Sequence, residues 1–292
     1  MRLALLGLGL IGGSVARAAH AAGWQVVAWT PSGAAPRIAR AEGAIDVAAG
    51  TLREAVDGAD LVVLAAPPLA CGELLGVLAG IRRDALRRDV VISDVASTKA
   101  LLVQQAAALG LRFVGGHPMA GRDESGFAAG SADLFRDRPW VVVPPAATDE
   151  EAVARVEELA RACGARPVRM TAAEHDAAVA AISHLPLVVA AALVEAVAGG
   201  PGDPVPSGWP AAAALAAGGW AGATRLARGD PEMGAGIAAT NAGPLAAGVR
   251  AVRERLGEWL LLLEAGADDG SPDEAALRER FAAARDRLRG PG

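Results

Sequence analysis

Six residues near the start of the chain, Gly7-Leu8-Gly9-Leu10-Ile11-Gly12, leave few folds open to it. They follow a short apolar run, residues 3–6, and lead into a helical pattern over residues 11–22. A G-x-G-x-x-G turn between a strand and a helix suits a dinucleotide. The first glycine permits the tight turn, the second lets the backbone approach a pyrophosphate, and the third lets the helix pack against the sheet. The start of that helix, at Leu10 and Ile11, offers free N–H groups and the positive end of the helix dipole to phosphates. Gly7, Gly9, Leu10, Ile11 and Gly12 are therefore candidate cofactor contacts, against the plainer reading of a glycine turn used only for packing. The next strand, residues 25–29, runs into Thr30-Pro31-Ser32. An NAD site usually places an acid there, about 20 residues after the turn, to hold the ribose diol. This chain has none, and Thr30 and Ser32, with Arg37 or Arg40 nearby, favour NADP or loose selectivity over NAD.

Short β-rich apolar runs then alternate with helical patterns. Strands are expected at residues 61–65, 90–93, 113–114 and 140–143. Such alternation implies βαβ units, hence an α/β fold of Rossmann type with a doubly wound parallel sheet. A helix is expected over residues 149–163 with Thr148 as its N-cap, and a last strand over 167–170. From Thr171 onward strand signals stop and alanine-rich helical sequence takes over. The chain thus divides near residue 168, into a dinucleotide-binding domain (1–168) and an all-helical domain (169–292). Residues 199–210 form a loop between helices, and residues 271–288 a solvated terminal helix.

Composition narrows the function classes. A length of 292 residues suits two domains, and 52% hydrophobic residues support a buried core. A net charge of -5 argues against nucleic acid, which needs a basic surface. Cys71 and Cys163 have no metal-ligand spacing and read as small buried hydrophobes in a reducing compartment, so no metal is expected. Glycines interrupt the apolar N-terminus, which argues against a secretion signal. The most lipid-like stretch, residues 177–198, is broken by Ser183, His184, Pro186 and Glu195 and is expected to be a buried helix rather than a membrane span. A cytoplasmic protein is expected. Arginine supplies nearly all the positive charge; Lys99 is the only lysine.

Four further segments carry chemistry: Ser93-Asp94-Val95-Ala96-Ser97-Thr98-Lys99, the run from Gly115 through His117 and Asp123 to Gly126, Ile182-Ser183-His184-Leu185-Pro186, and the run from Thr224 and Arg225 through Arg228 to Met233. The first two lie at the ends of expected strands, where open α/β sheets place their ligands. Taken with the glycine turn and in this order, these segments resemble the prephenate/arogenate dehydrogenase family over nearly the whole chain. The resemblance implies a nucleotide-binding domain followed by a helical dimerisation domain, and a homodimer. It also implies NAD(P)-linked oxidative decarboxylation of a cyclohexadienol on the way to tyrosine.

The resemblance assigns proton uptake to His117, and a neutral imidazole with an ordinary pKa of about 6.5 suits that task. It implies that Ser97 orients the same substrate hydroxyl, although Ser97 also fits the N-cap of a helix starting near Thr98. Arg225 occupies the family's arginine position for the ring carboxylate, with Arg228 as competitor. Ser183 and His184 match pocket-lining positions; capping by Ser183 and packing of His184 is the alternative. Asp94 and Lys99 flank the nucleotide side, where a turn-forming aspartate and a solvated lysine are equally good explanations. Asp123 suits the ammonium of arogenate, or is one more solvated acid beside Arg122.

The chain departs from the family pattern at Leu187, where many members carry a second histidine, at Gly222, acidic in some relatives, and at Gly234, usually tryptophan. These changes leave the reaction class intact and prephenate, arogenate and an amino analogue undivided. The chain ends without an evident regulatory domain, so allosteric control through one is not expected; direct inhibition by a tyrosine-like product stays open. A β-hydroxyacid dehydrogenase or imine reductase shares the layout, but commonly uses a lysine in the helical part, where this chain has none. A non-catalytic nucleotide sensor would not need Ser97, His117 and Arg225 together.

Overall fold

The computed structural model describes residues 1–122, 124–144, 147, 149–264 and 272–289, with backbone alone at 82–85. Eight strands form one sheet: β1 (Arg2–Leu6), β2 (Gln25–Trp29), β3 (Val47–Ala48), β4 (Leu61–Leu64), β5 (Val91–Asp94), β6 (Phe113–Pro118), β7 (Pro139–Val143) and β8 (Arg166–Arg169). Their order is β3-β2-β1-β4-β5-β6-β7-β8. Every pairing is parallel except β6 with β7. The helices interleaved with the strands are α1 (Leu10–Ala21), α2 (Ala34–Ala41), α3 (Leu52–Val56), α4 (Pro68–Ala85), α5 (Ala100–Ala108) and α6 (Glu150–Ala162).

Alternate side chains of β1 enter different cores: Leu3 and Leu5 join the cluster packed under α1 and α6, while Ala4 and Leu6 join the one packed under α4 and α5. A strand covered on both faces needs a continuous apolar run, which is what residues 3–6 supply. The two-residue strand β3 carries too short a pattern to be read in advance. At α6 the N-cap is Asp149, whose carboxylate accepts from the Ala152 amide; Thr148, the expected cap, lies outside the described residues.

Beyond β8 the described chain is helical: α7 (Ala172–Val179), α8 (Leu185–Ala198), α9 (Trp209–Ala214), α10 (Gly218–Ala223), α11 (Pro231–Thr240), α12 (Ala242–Glu264) and α13 (Glu274–Leu288). Thr171 and Glu174 close a reciprocal capping box that starts α7. A single π-helical turn, Ala180–His184, joins α7 to α8, making one apolar rod from Ala172 to Ala198. This rod is not the buried helix expected from its composition. In α8 only Ala190 is buried, and Ile182 in the preceding turn is 69% exposed. The 3-10 turn Arg225–Arg228 and α12 pack against α8 without covering it. Leu256, Leu260, Leu261 and Leu263 of α12 are each more than half exposed.

Candidate active site

The C-terminal ends of the parallel strands open into a cleft of about 990 Å³. Its floor is the turn that leaves β1. Gly7 has φ +110°, and a Cβ there would fall 2.1 Å from the Ala65 carbonyl oxygen; one on Gly12 would fall 2.4 Å from the Gly7 carbonyl oxygen. Both positions are closed to any side chain. Gly9 differs, because a Cβ there would meet nothing within 4 Å. As N-cap of α1, Gly9 supplies no side chain to the helix, and the first turn carries no acid. The α1 N-terminus thus presents amides to the cleft across an open glycine, which fits a pyrophosphate.

Gly7, Gly9, Leu10, Ile11 and Gly12 line this cleft with Ser97 from the turn after β5, and with Arg122, Glu124, Ser125 and Gly126 from the loop after β6. The helical half contributes Ala221, Arg225, Leu226, Arg228 and Met233. Ser97 does not cap α5: that helix begins at Ala100, and its N-cap, Lys99, makes no side-chain cap. Asp123 lies outside the described residues.

Several expected contacts fall elsewhere. Thr30 and Ser32 sit past the end of β2 and do not line the cleft. The Thr30 hydroxyl accepts from the Gly33 amide at 3.1 Å and that of Ser32 from the Ala34 amide at 3.3 Å, shaping the turn into α2. Asp94 is fully buried and does not line the cleft. One of its oxygens accepts from the Gly116 amide at 3.0 Å, and the other from the Ala96 amide at 3.0 Å and from the buried Lys99 ammonium. Lys99 is likewise not the solvated lysine one reading allowed. Ser183 is exposed, and His184 is buried against Asn241, whose amide Nδ2 stands 3.1 Å from its Nδ1. Neither residue lines the cleft, so their expected substrate contact is not seen. Two departures from the family pattern meet: a Cβ on Gly234 would lie 3.8 Å from a methyl of Leu187.

His117 lies inside β6 rather than after it, opposite Val141 of β7, and is half-buried. Two glycines bring it there. A Cβ on Gly115 would press on the Lys99 side chain at 3.1 Å, and one on Gly116 would meet the Asp94 carbonyl oxygen at 2.5 Å. β6 can therefore run close past the end of β5, towards the edge where the cleft opens.

Behind His117 stands a chain of groups that sequence reasoning missed. His117 Nδ1 is 2.8 Å from His175 Nε2, and His175 Nδ1 is 2.7 Å from Asp176 Oδ1. The Asp176 carboxylate also accepts from the backbone amides of Lys99 and Ala100, each at 2.8 Å, tying α7 to the start of α5. Burial pushes the Asp176 carboxyl upward, but His175 and the two amides outweigh it and hold the group below the ordinary carboxylate range. An ionised carboxylate only accepts, so His175 carries its proton on Nδ1. Its Nε2 then accepts from His117 Nδ1–H, which leaves His117 Nε2 with a lone pair. Burial, then the positive charge of Lys99 and the neighbouring rings of His175 and His184, keep His117 well below its ordinary pKa. The arrangement can take a proton at one atom; His117 itself is not among the residues that line the cleft, whereas Ser97 and the loop that follows β6 are.

A family profile described as "Prephenate dehydrogenase, nucleotide-binding domain" matches residues 15–169, and one described as "Prephenate dehydrogenase, dimerization domain" matches residues 171–270. A prephenate dehydrogenase of Bacillus subtilis is 34% identical over 234 residues, 78% of this chain and 61% of that protein. A cyclohexadienyl dehydrogenase of Zymomonas mobilis is 36% identical over 201 residues, 68% of this chain and 67% of that protein. Among solved structures, an arogenate dehydrogenase from Synechocystis superposes with a TM-score of 0.77 at 29% identity, covering 99% of this chain and 100% of that one. The match thus spans about three fifths of the Bacillus relative's length. With both profiles matched in order and together covering most of its length, this chain belongs to the prephenate dehydrogenase family.

Proposed function

We propose that this chain oxidatively decarboxylates prephenate, arogenate or both, giving 4-hydroxyphenylpyruvate or tyrosine, with NADP preferred to NAD. The observation that carries this reading is the one-way chain Asp176–His175–His117, which leaves His117 Nε2 as a proton acceptor on a strand whose following loop lines the same cleft as the glycine turn. A bound nicotinamide would supply the acceptor for the hydride that leaves the carbinol carbon. His117 Nε2 takes the hydroxyl proton as that carbon becomes a carbonyl, and Ser97 orients the hydroxyl. The bond to the ring carboxylate then breaks, its electrons complete the aromatic ring as a phenolate that recovers the proton held on His117, and carbon dioxide departs. Arg225, on the cleft wall, clamps that carboxylate until it leaves, with Arg228 one turn further along the same wall.

Gly7, Gly9 and Gly12 with the amides at Leu10 and Ile11 hold the pyrophosphate. Arg37 or Arg40, past an end of β2 that lacks an acid, receives the 2′-phosphate that favours NADP, while Thr30 and Ser32 shape the turn that leads to them. The two units divide near residue 168. A second copy covers the apolar faces of α8 and α12, making a homodimer. The buried free thiols of Cys71 and Cys163 support a reducing, cytoplasmic setting.

Purified protein is expected to reduce NADP faster than NAD when given prephenate or arogenate, with release of carbon dioxide. His117→Asn is expected to lower kcat by about 10²–10⁴-fold with cofactor affinity unchanged. Absence of turnover with all four pairs would remove the proposal, and an unaltered rate in the variant would remove His117 as the base.

A further inference from the structure

The only lysine of the chain is fully buried, within a cluster that converges on His117 from two directions. Its ammonium is paired with Asp94, whose other oxygen holds the Gly116 amide, one residue from His117. Its backbone amide is held by Asp176, the carboxylate that ends the chain through His175 to the other side of the same ring. Lys99 therefore touches the scaffold of His117 at both ends, once through a side chain and once through the main chain. A buried ion pair is a weak source of stability, because desolvation cancels most of the attraction. Retention of this one at the foot of the candidate base asks for another role.

We propose that the Lys99–Asp94 pair is a positioning element for His117: it fixes the strand backbone that carries the ring and places an ammonium in the cluster that holds it. The inference builds on the reading of His117 as the proton acceptor. The other titratable groups facing that ring are His175 and Asp176 from α7 and His184 from the π-helical turn; Trp140 on β7 is neutral. A like charge at close range disfavours protonation of the imidazole, which agrees with the direction in which His117 is displaced.

The test is a titration of the His117 ring by 1H–13C NMR on the folded enzyme, together with kcat/KM against pH. Lys99→Met leaves the Asp94 carboxylate unopposed, so the His117 midpoint and the acidic limb of the rate profile should both move up by about one pH unit. The double variant D94N/K99M removes both charges and avoids an orphaned buried carboxylate; it should shift the same midpoint upward by less. An unmoved His117 midpoint in the folded double variant would overturn the proposal, whether or not K99M folds. A shifted midpoint in a protein that turns over no substrate would leave this inference standing and remove the proposed function instead.

Discussion

The imidazole of His117 has one nitrogen committed and one open, and the direction of that commitment follows from Asp176 two links away. Asp176→Asn keeps the shape but lets the amide donate, so His175 loses its reason to present Nε2 as an acceptor. We expect kcat to fall by about 10-fold or more with KM little changed; a fall confined to KM would mean that the relay does not orient the base. His117 and His184 both protonate less readily folded than unfolded, with burial the first cause in each. A folded pKa below the unfolded one means that the unfolded chain binds more protons as pH falls through about 6.5. This contribution to stability is complete above that pH and is lost below it. Urea midpoints should accordingly decline between about pH 6.5 and 5. A flat profile over that range would contradict the depressed basicity of both rings.

At the scale of elements, the β1 turn separates what glycine does for the fold from what it does for a ligand. Gly7→Ala should unfold or badly destabilise the protein, since its Cβ would overlap the Ala65 carbonyl. Gly9→Ala should leave the thermal midpoint within a degree or two and weaken dinucleotide binding at least about 10-fold, because the added methyl meets only the open cleft. Equal effects of the two on stability would refute that division. The glycine turn, the strands other than β3 and the helix α6 were legible because each rests on local pattern. The pairing of β7 antiparallel to β6 was not, since periodicity carries no strand direction. Nor were Asp94 and Lys99, whose partners are set by how closely Gly115 and Gly116 let β6 approach β5. His175 and Asp176 had one overlooked signal: a histidine followed by an acid in an alanine-rich helix, in a chain with four histidines.

Across the whole molecule, the sheet half closes its own core while the helical half leaves apolar faces open on α8 and α12. Ala177–Ala198 reads as core by composition, yet the described residues of one chain leave much of it uncovered; that is why its burial was misjudged from sequence. Sedimentation should give twice the chain mass, and charged replacements at Leu260 and Leu261 together should give a single chain. A monomeric wild type would refute the expected homodimer. One rod, Ala172 to Ala198, bears His175 at its first turns and the uncovered face at its last. A second copy seated on that face would press on the same rod that carries His175, across the single π-helical turn at Ala180–His184. Specific activity should then drop when the enzyme is diluted below its association range and return on concentration, so that the amount of enzyme present acts as a throttle on its own chemistry.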